Sequence, residues 1–230
     1  LGHDKAMILL PLLLSLLAAS PTAPRATPQT LVVTAPGWDA DRGQATLIAG
    51  DRVLFGPAPV HLGARGLAWG LGLRRRPGRT DGPDKREGDR RSPAGIFAIG
   101  TRYHRDGAAH TFCVDDAASQ QYNTIVRLET GSKPTWNSAE HMREYRVAVV
   151  VEHNAARIPG RGSCIFLHES DRATAGCTAL APRDLDQLLA RLAPGARLVQ
   201  LPEAAYRELA APWNLPSPAL VGLAPHDDEE

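Results

Sequence analysis

Two residues in one short stretch have the types and spacing for acyl chemistry. The stretch is GSCIFLHESDRATAGCTAL, residues 162–180. His168 closes an apolar run, 164–167, that reads as a buried strand. A polar loop follows at 169–172, then the small residues Ala173, Thr174, Ala175 and Gly176, then Cys177. A thiolate attacks carbonyl carbon well, but a free thiol near neutral pH is mostly protonated. A neighbouring imidazole takes that proton or pairs with the thiolate. Gly176 lets the backbone turn tightly before the sulfur. Backbone N–H groups of Ala175, Gly176 and Cys177, aimed at one point, would hold a tetrahedral oxyanion.

The same residues have plainer readings. A cysteine is often a small buried hydrophobe. Cys164, His168 and Cys177 are all zinc-ligand types, yet no CxxC pair or fourth ligand accompanies them. His153, in Glu152-His153-Asn154, also closes a strand and is a rival base. Asp115 and Asp116 are adjacent, so on a strand they face opposite ways, which disfavours a two-carboxylate mechanism. A calcium loop would need more oxygen ligands at regular spacing. That leaves loop hydrogen bonding for Asp115, Asp116 and Ser119, with Tyr122 and Asn123 as groove-lining candidates.

The elements that must carry these groups are mostly strands. Runs at 31–34, 45–48 and 52–55 predict strands, the last two as a hairpin around Gly50-Asp51. Gly63, Gly66, Gly70 and Gly72 predict a loop, with Trp69 packed inside it. Pro93 and Gly95 predict a turn that delivers residues 96–99 into a strand. Residues 136–142 predict a short helix capped by Asn137 or Ser138. Residues 145–151 predict a valine-rich strand, and 159–162 a turn into the strand ending at His168. Pro182 suits a first helical turn, and Leu185, Leu188, Leu189 and Leu192 fall on one face. A strand at 197–201 and a helix at 203–209 complete the pattern. The expected fold is mainly β, a mostly antiparallel sandwich or barrel-like mixed sheet with a few short helices.

A chain of 230 residues suits one well-buried domain. The formal net charge of +1 gives no reason to expect nucleic acid as a partner, and 5% aromatic residues argue against a base-stacking platform. Basic residues cluster between 74 and 91, but Asp81, Asp84, Glu87 and Asp89 interleave with them. That run reads as a solvated loop. His3 and Lys5 precede an apolar segment at 7–19, and small residues suited to cleavage follow it. This segment is short for a membrane span and reads as a secretory signal peptide. The expected organisation is signal peptide 1–23, linker 24–30, catalytic domain 31–215 and a flexible acidic tail 216–230. The protein is expected in the periplasm or cell-wall space.

Several separated motifs occur in one order: EGDRRSPAGIF at 87–97, CVDDAASQQYN at 113–123, EHN at 152–154 and IFLHESDRATAGCTAL at 165–180. Together they resemble the L,D-transpeptidase (YkuD-like) catalytic family, in the branch with an IFLH…TAGC motif. Ala175 stands where many members carry a second histidine. The resemblance implies the L,D-transpeptidase catalytic fold and a cysteine acyltransferase that builds or remodels peptidoglycan cross-links. It implies Cys177 as nucleophile, His168 as proton donor and acceptor, and Gly176 and Ala175 as turn and oxyanion backbone. Thr174, Tyr122, Asn123 and His153 become substrate-binding candidates. Peptidoglycan stem peptides would be donor and acceptor, no metal or organic cofactor is needed, and a carbapenem would acylate the thiol. The enzyme is expected to act as a monomer. An L,D-carboxypeptidase with water as acceptor and a non-catalytic wall-binding module stand as alternatives.

An exported location makes pairing of the three cysteines possible. With Cys177 free, Cys113 and Cys164 are the candidates for a disulfide, or both are reduced core residues.

Overall fold

The computed structural model describes residues 27–78 and 81–223. The apolar, β-branched start of this region builds β1 (Gln29–Ala35). β2 (Arg42–Ala49) and β3 (Arg52–His61) follow as a hairpin that turns on Gly50 at φ 64°. The short β4 (Leu67–Trp69) precedes the long β5 (Ser92–His104). β6 (Thr111–Val114), β7 (Ile125–Arg127) and β8 (Ala139–His141) make a separate small sheet in the order β7-β6-β8. β9 (Val147–Val151), β10 (Phe166–Glu169), β11 (Thr178–Leu180) and β12 (Arg197–Pro202) return to the main sheet. The described helices longer than one 3₁₀ turn are α1 (Pro182–Leu189) and α2 (Glu203–Leu209).

The main sheet runs β12-β1-β2-β3-β11-β10-β9-β5-β4. β12 pairs with β5 as well as β1, which closes eight strands into a barrel and leaves β4 outside it. The pairs β1–β12, β10–β11 and β4–β5 are parallel, and the others antiparallel. The fold is thus mainly β and mixed, and its closure selects barrel over sandwich.

Strand alternation divides the molecule into two apolar regions. Val147, Val149, Val151, Leu167 and Leu180 face the large core with Leu31, Leu47 and Phe97. Ala148, Phe166 and Cys177 face a smaller cluster with Cys113, Met142 and Cys164. That cluster joins the small sheet to the barrel wall. α1 buries Leu185, Leu188 and Leu189 in the large core, each contributing about 2 kcal/mol by area removed from water.

Four expectations are corrected. The turn at Pro93 and Gly95 lies within one strand that already starts at Ser92. The helix expected at 136–142 is strand β8 and a 3₁₀ turn. Asp116 accepts from both the backbone and side-chain nitrogens of Asn137, and His141 stacks on Phe112 at 4.5 Å, so this segment pairs with β6. The linker ends two residues early, because Gln29 and Thr30 belong to β1. The tail packs further than expected, with Val221 and Leu223 buried against the core. The export segment at 1–23 and the acidic residues at 227–230 lie outside the described residues. Among the described residues no helix is long and apolar enough to cross a membrane.

Candidate active site

The parallel register of β10 and β11, with Leu167 opposite Thr178 and His168 opposite Ala179, puts Cys177 beside Phe166. Both face the smaller cluster, and His168 stands two residues beyond Phe166 on the same side of the strand. The sulfur and the imidazole therefore share one face of the barrel wall. The backbone N–H of Phe166 donates to Sγ of Cys177 at 3.3 Å, and the thiol donates to the carbonyl of Cys164 at 3.6 Å. Among the described residues, no hydrogen bond joins His168 to that sulfur.

Nδ1 of His168 lies 2.8 Å from the carbonyl oxygen of Glu169. A carbonyl only accepts, so the proton sits on Nδ1 and Nε2 is left as an acceptor. Tyr145 meets the His168 ring edge-on at 5.1 Å and packs on Phe166 at 5.5 Å. Burial lowers the imidazole's proton affinity, while the bond to Glu169 and its charge act the other way. Burial, the largest of these effects, favours the neutral ring, the form a base requires.

The loop before Cys177 is held by hydroxyls. Thr174 Oγ1 accepts from the N–H of Gly176 at 3.1 Å and donates to the carbonyl of Cys177 at 2.6 Å. Ser92 Oγ donates to that same carbonyl at 2.8 Å and accepts from Gly63 N at 2.8 Å. Gly176 has φ 157°, and a Cβ there would lie 3.2 Å from the carbonyl of Arg91. The Gly176 N–H is thereby spent on Thr174. The N–H groups of Ala175 and Cys177 have no partner among the described residues.

Cys177 lines a cleft of about 190 Å³ with Ala175, Gly176, Lys85, Glu87, Asp115 and Glu140. Burial pushes the thiol well above its ordinary range, and the Glu140 charge pushes it further. The Phe166 amide and Lys85 oppose this. Burial also raises Glu140, to about 7, with Asp115 and Glu87 adding repulsion against its bond from Tyr145. Oδ1 of Asp115 is buried without a hydrogen-bond partner. Lys85 is tied to Asp89 at 2.6 Å.

Several candidates lie behind this cleft rather than in it. Tyr122 is buried and donates its hydroxyl to Glu87, which also accepts from Ser163. Asn123 donates to the carbonyls of His153 and Asn154 and accepts from Cys164 N at 3.0 Å. His153 is 2% exposed. Its Nδ1 accepts from Leu71 N and its Nε2 donates to the Arg161 carbonyl at 2.9 Å. It is a structural histidine, lowered to about 4 by burial, and not a free base. Thr174 braces the loop that carries Cys177 and does not line the cleft. The polar side-chain atoms of all four are engaged by the chain and none of the four lines the cleft beside Cys177, while Asn123 and His153 line a neighbouring pocket of about 120 Å³.

Cys113 and Cys164 form a disulfide with Cα atoms 5.8 Å apart, and Cys177 is free. The disulfide consumes a sulfur that the zinc reading needs. Sequence reasoning missed Lys85, Glu87, Asp115 and Glu140 as cleft residues. They come from three separate segments. Glu87 and Asp115 stand in the motifs EGDRRSPAGIF and CVDDAASQQYN, Asp115 with only a loop role read for it, while Lys85 and Glu140 carry no signal.

Residues 39–201 match the family described as YkuD, L,D-transpeptidase catalytic domain. Among solved structures, the chain is similar to Mycobacterium tuberculosis L,D-transpeptidase 1, with 14% identity and a TM-score of 0.37. That likeness covers 76% of this chain and 62% of that one. It is similar also to L,D-transpeptidase 3 from the same organism, in complex with a faropenem-derived adduct, with 11% identity and a TM-score of 0.36. There the shares are 75% and 60%. The chain thus spans about three fifths of the length of these two structures. No curated protein matches it.

Proposed function

Because this chain belongs to the YkuD L,D-transpeptidase catalytic-domain family, we propose that it is an exported cysteine L,D-transpeptidase acting on peptidoglycan stem peptides. Cys177 gives its proton to Nε2 of His168, and the sulfur attacks the carbonyl carbon of the third stem residue, an L centre. The oxyanion accepts from the N–H groups of Cys177 and Ala175, which the loop leaves unspent. The carbon–nitrogen bond breaks, His168 returns the proton to the departing D-amino acid, and a thioester remains on Cys177. The amine of a second stem then displaces the sulfur. With water as acceptor, the same site is an L,D-carboxypeptidase.

One observation supports this reading above others. His168 stands on the thiol's side of the sheet, outside the residues that line the cleft, with its Nδ1 proton held by the Glu169 carbonyl and no hydrogen-bond partner on Nε2 among the described residues. A competing reading, a wall-binding module with an inert thiol, draws on the burial of Cys177 and its bond to the Cys164 carbonyl. Intact-mass measurement after exposure to a carbapenem or a penem separates the two. An adduct on the native chain, absent from Cys177→Ala, supports acyl transfer. A folded native chain that stays unmodified on prolonged exposure refutes it.

A further inference from the structure

The basic run at 74–91 reads from sequence as solvated, but its backbone is anchored and its side chains border a built pocket. The N–H of Leu73 donates to the Ile96 carbonyl at 2.7 Å, and that of Leu71 to His153, which fixes where the arginines emerge. Arg74, Arg75, Arg76 and Arg161 line a pocket of about 250 Å³, with Asp84 as its one acid. Arg161 and Asp84 also border an adjoining pocket of about 210 Å³ with Arg86. Asp84 is committed to Arg76 at 2.9 Å, and Arg76 lies over the Trp69 ring at 5.7 Å. The side chains of Arg74, Arg75, Arg86 and Arg161 have no hydrogen-bond or ion-pair partner among the described residues, and Nε of Arg161 is buried as well. A buried donor without an acceptor is costly, and an arriving oxyanion relieves that cost.

We infer that this arginine pocket is a binding site for a phosphate group, as a free phosphate or as one unit of a phosphodiester chain. Guanidinium groups meet such oxygens in paired, planar contacts. Four partner-free guanidiniums exceed what a single carboxylate can satisfy, whereas a phosphate offers several acceptor oxygens and more charge. Trp69 is 2% exposed, so no aromatic face is offered to a base. The site borders the Cys177 cleft. Asp84 and Arg86 face the arginine pocket, while Lys85 and Glu87 line the cleft. Arg161 and Ser163 divide in the same way, and Glu87 N donates to the Gly160 carbonyl at 2.9 Å, joining the two loops. This inference does not depend on acyl transfer.

The test is calorimetric titration of the full chain with inorganic pyrophosphate and, separately, with a glycerol-phosphate oligomer, at low and at near-physiological ionic strength. Both probes should bind at low ionic strength, and the Arg75→Gln/Arg161→Gln variant should lose at least about tenfold in affinity, since each change removes a charge-assisted contact. A control pair with equal charge loss outside the pocket, Arg52→Gln/Arg197→Gln, should stay near the native value. Tighter binding of the oligomer per phosphate identifies a chain as the source, and equal binding identifies an isolated phosphate. If the Arg161 change impairs folding, Arg74→Gln/Arg75→Gln, both exposed, takes its place. Absence of binding at low ionic strength, or an equal loss in the control pair, overturns the inference.

Discussion

Glu140 lines the same cleft as Cys177, and its carboxylate opposes ionisation of that thiol. Burial first, and the Glu140 charge after it, set the resting site against a standing thiolate, while the Phe166 amide and Lys85 favour one. Replacing Glu140 by Gln removes the charge and keeps an oxygen that can accept from Tyr145. We expect the pH profile of iodoacetamide alkylation at Cys177 to move to lower pH, with a rate at pH 8 about fivefold higher, as a fraction of a pKa unit would give. An unchanged or upward-shifted profile would show that the charge does not reach the sulfur.

The same substitution bears on stability. Glu140 is raised from 4.5 to about 7 in the fold. Its stabilising contribution is thus fully present below pH 4.5 and is lost as pH rises through 7. His153 is lowered from 6.5 to about 4, so its contribution is present above pH 6.5 and is lost as pH falls through 4. Each shift is worth about 3 kcal/mol by linkage, and over the shared window the two slopes oppose each other. Denaturant unfolding of the native chain should be nearly flat across that window, as far as these two groups decide it. Glu140→Gln should leave the His153 slope uncovered, with stability rising from pH 4 to 6.5. A variant that tracks the native chain at every pH contradicts the assignment of opposing slopes.

Cys113 and Cys164 lie 51 residues apart in sequence, and their disulfide fastens the small sheet to the segment that leads into β10, beside Cys177. Closing a loop of that length restricts the unfolded chain by about 4 kcal/mol in the entropic account. Cys113→Ala/Cys164→Ala should lower unfolding free energy by about 2–4 kcal/mol. Hydrogen exchange should speed first in β6 and β7. Uniform acceleration across the barrel, or no loss of stability, would count against the sheet being held by this link.

Which parts of this were readable in advance follows from the range of the interactions involved. Hairpin β2–β3, the valine strand β9 and helices α1 and α2 are set by local pattern, and the sequence shows them. Residues 136–142 mislead because Asn137 is a good cap only if its groups are free, and Asp116, 21 residues away, takes them. That His168 and Cys177 share one face of the wall is legible because one motif places them on β10 and at the entrance to β11. The acids around them are not, since Glu87, Asp115 and Glu140 converge only when the small sheet docks on the barrel. His153 looks like a base in sequence for the same reason. Its two backbone partners, Leu71 and Arg161, are visible only once the chain is folded.

Thr174 offers a test of whether the loop itself aims the Cys177 thiol. Its Oγ1 takes the Gly176 N–H and gives its own proton to the Cys177 carbonyl, so one oxygen fixes the residues on both sides of the peptide that precedes the sulfur. Valine has nearly the same shape without the oxygen, so Thr174→Val should leave packing alone, strand the Gly176 donor and free the Cys177 carbonyl from one of its two hydroxyls. The cost in stability should be about 1–3 kcal/mol, the range for an unpaired buried group. Carbapenem acylation of Cys177 should slow by about 10- to 100-fold, because small displacements of an attacking atom are expensive in rate. The loss should fall on the acylation step and not on the initial binding constant, which marks Thr174 as a positioning residue. Thr174→Ser restores the oxygen and should recover most of the rate. Acylation by Thr174→Val at the native rate would show that Ser92, which donates to the same carbonyl, holds the turn alone.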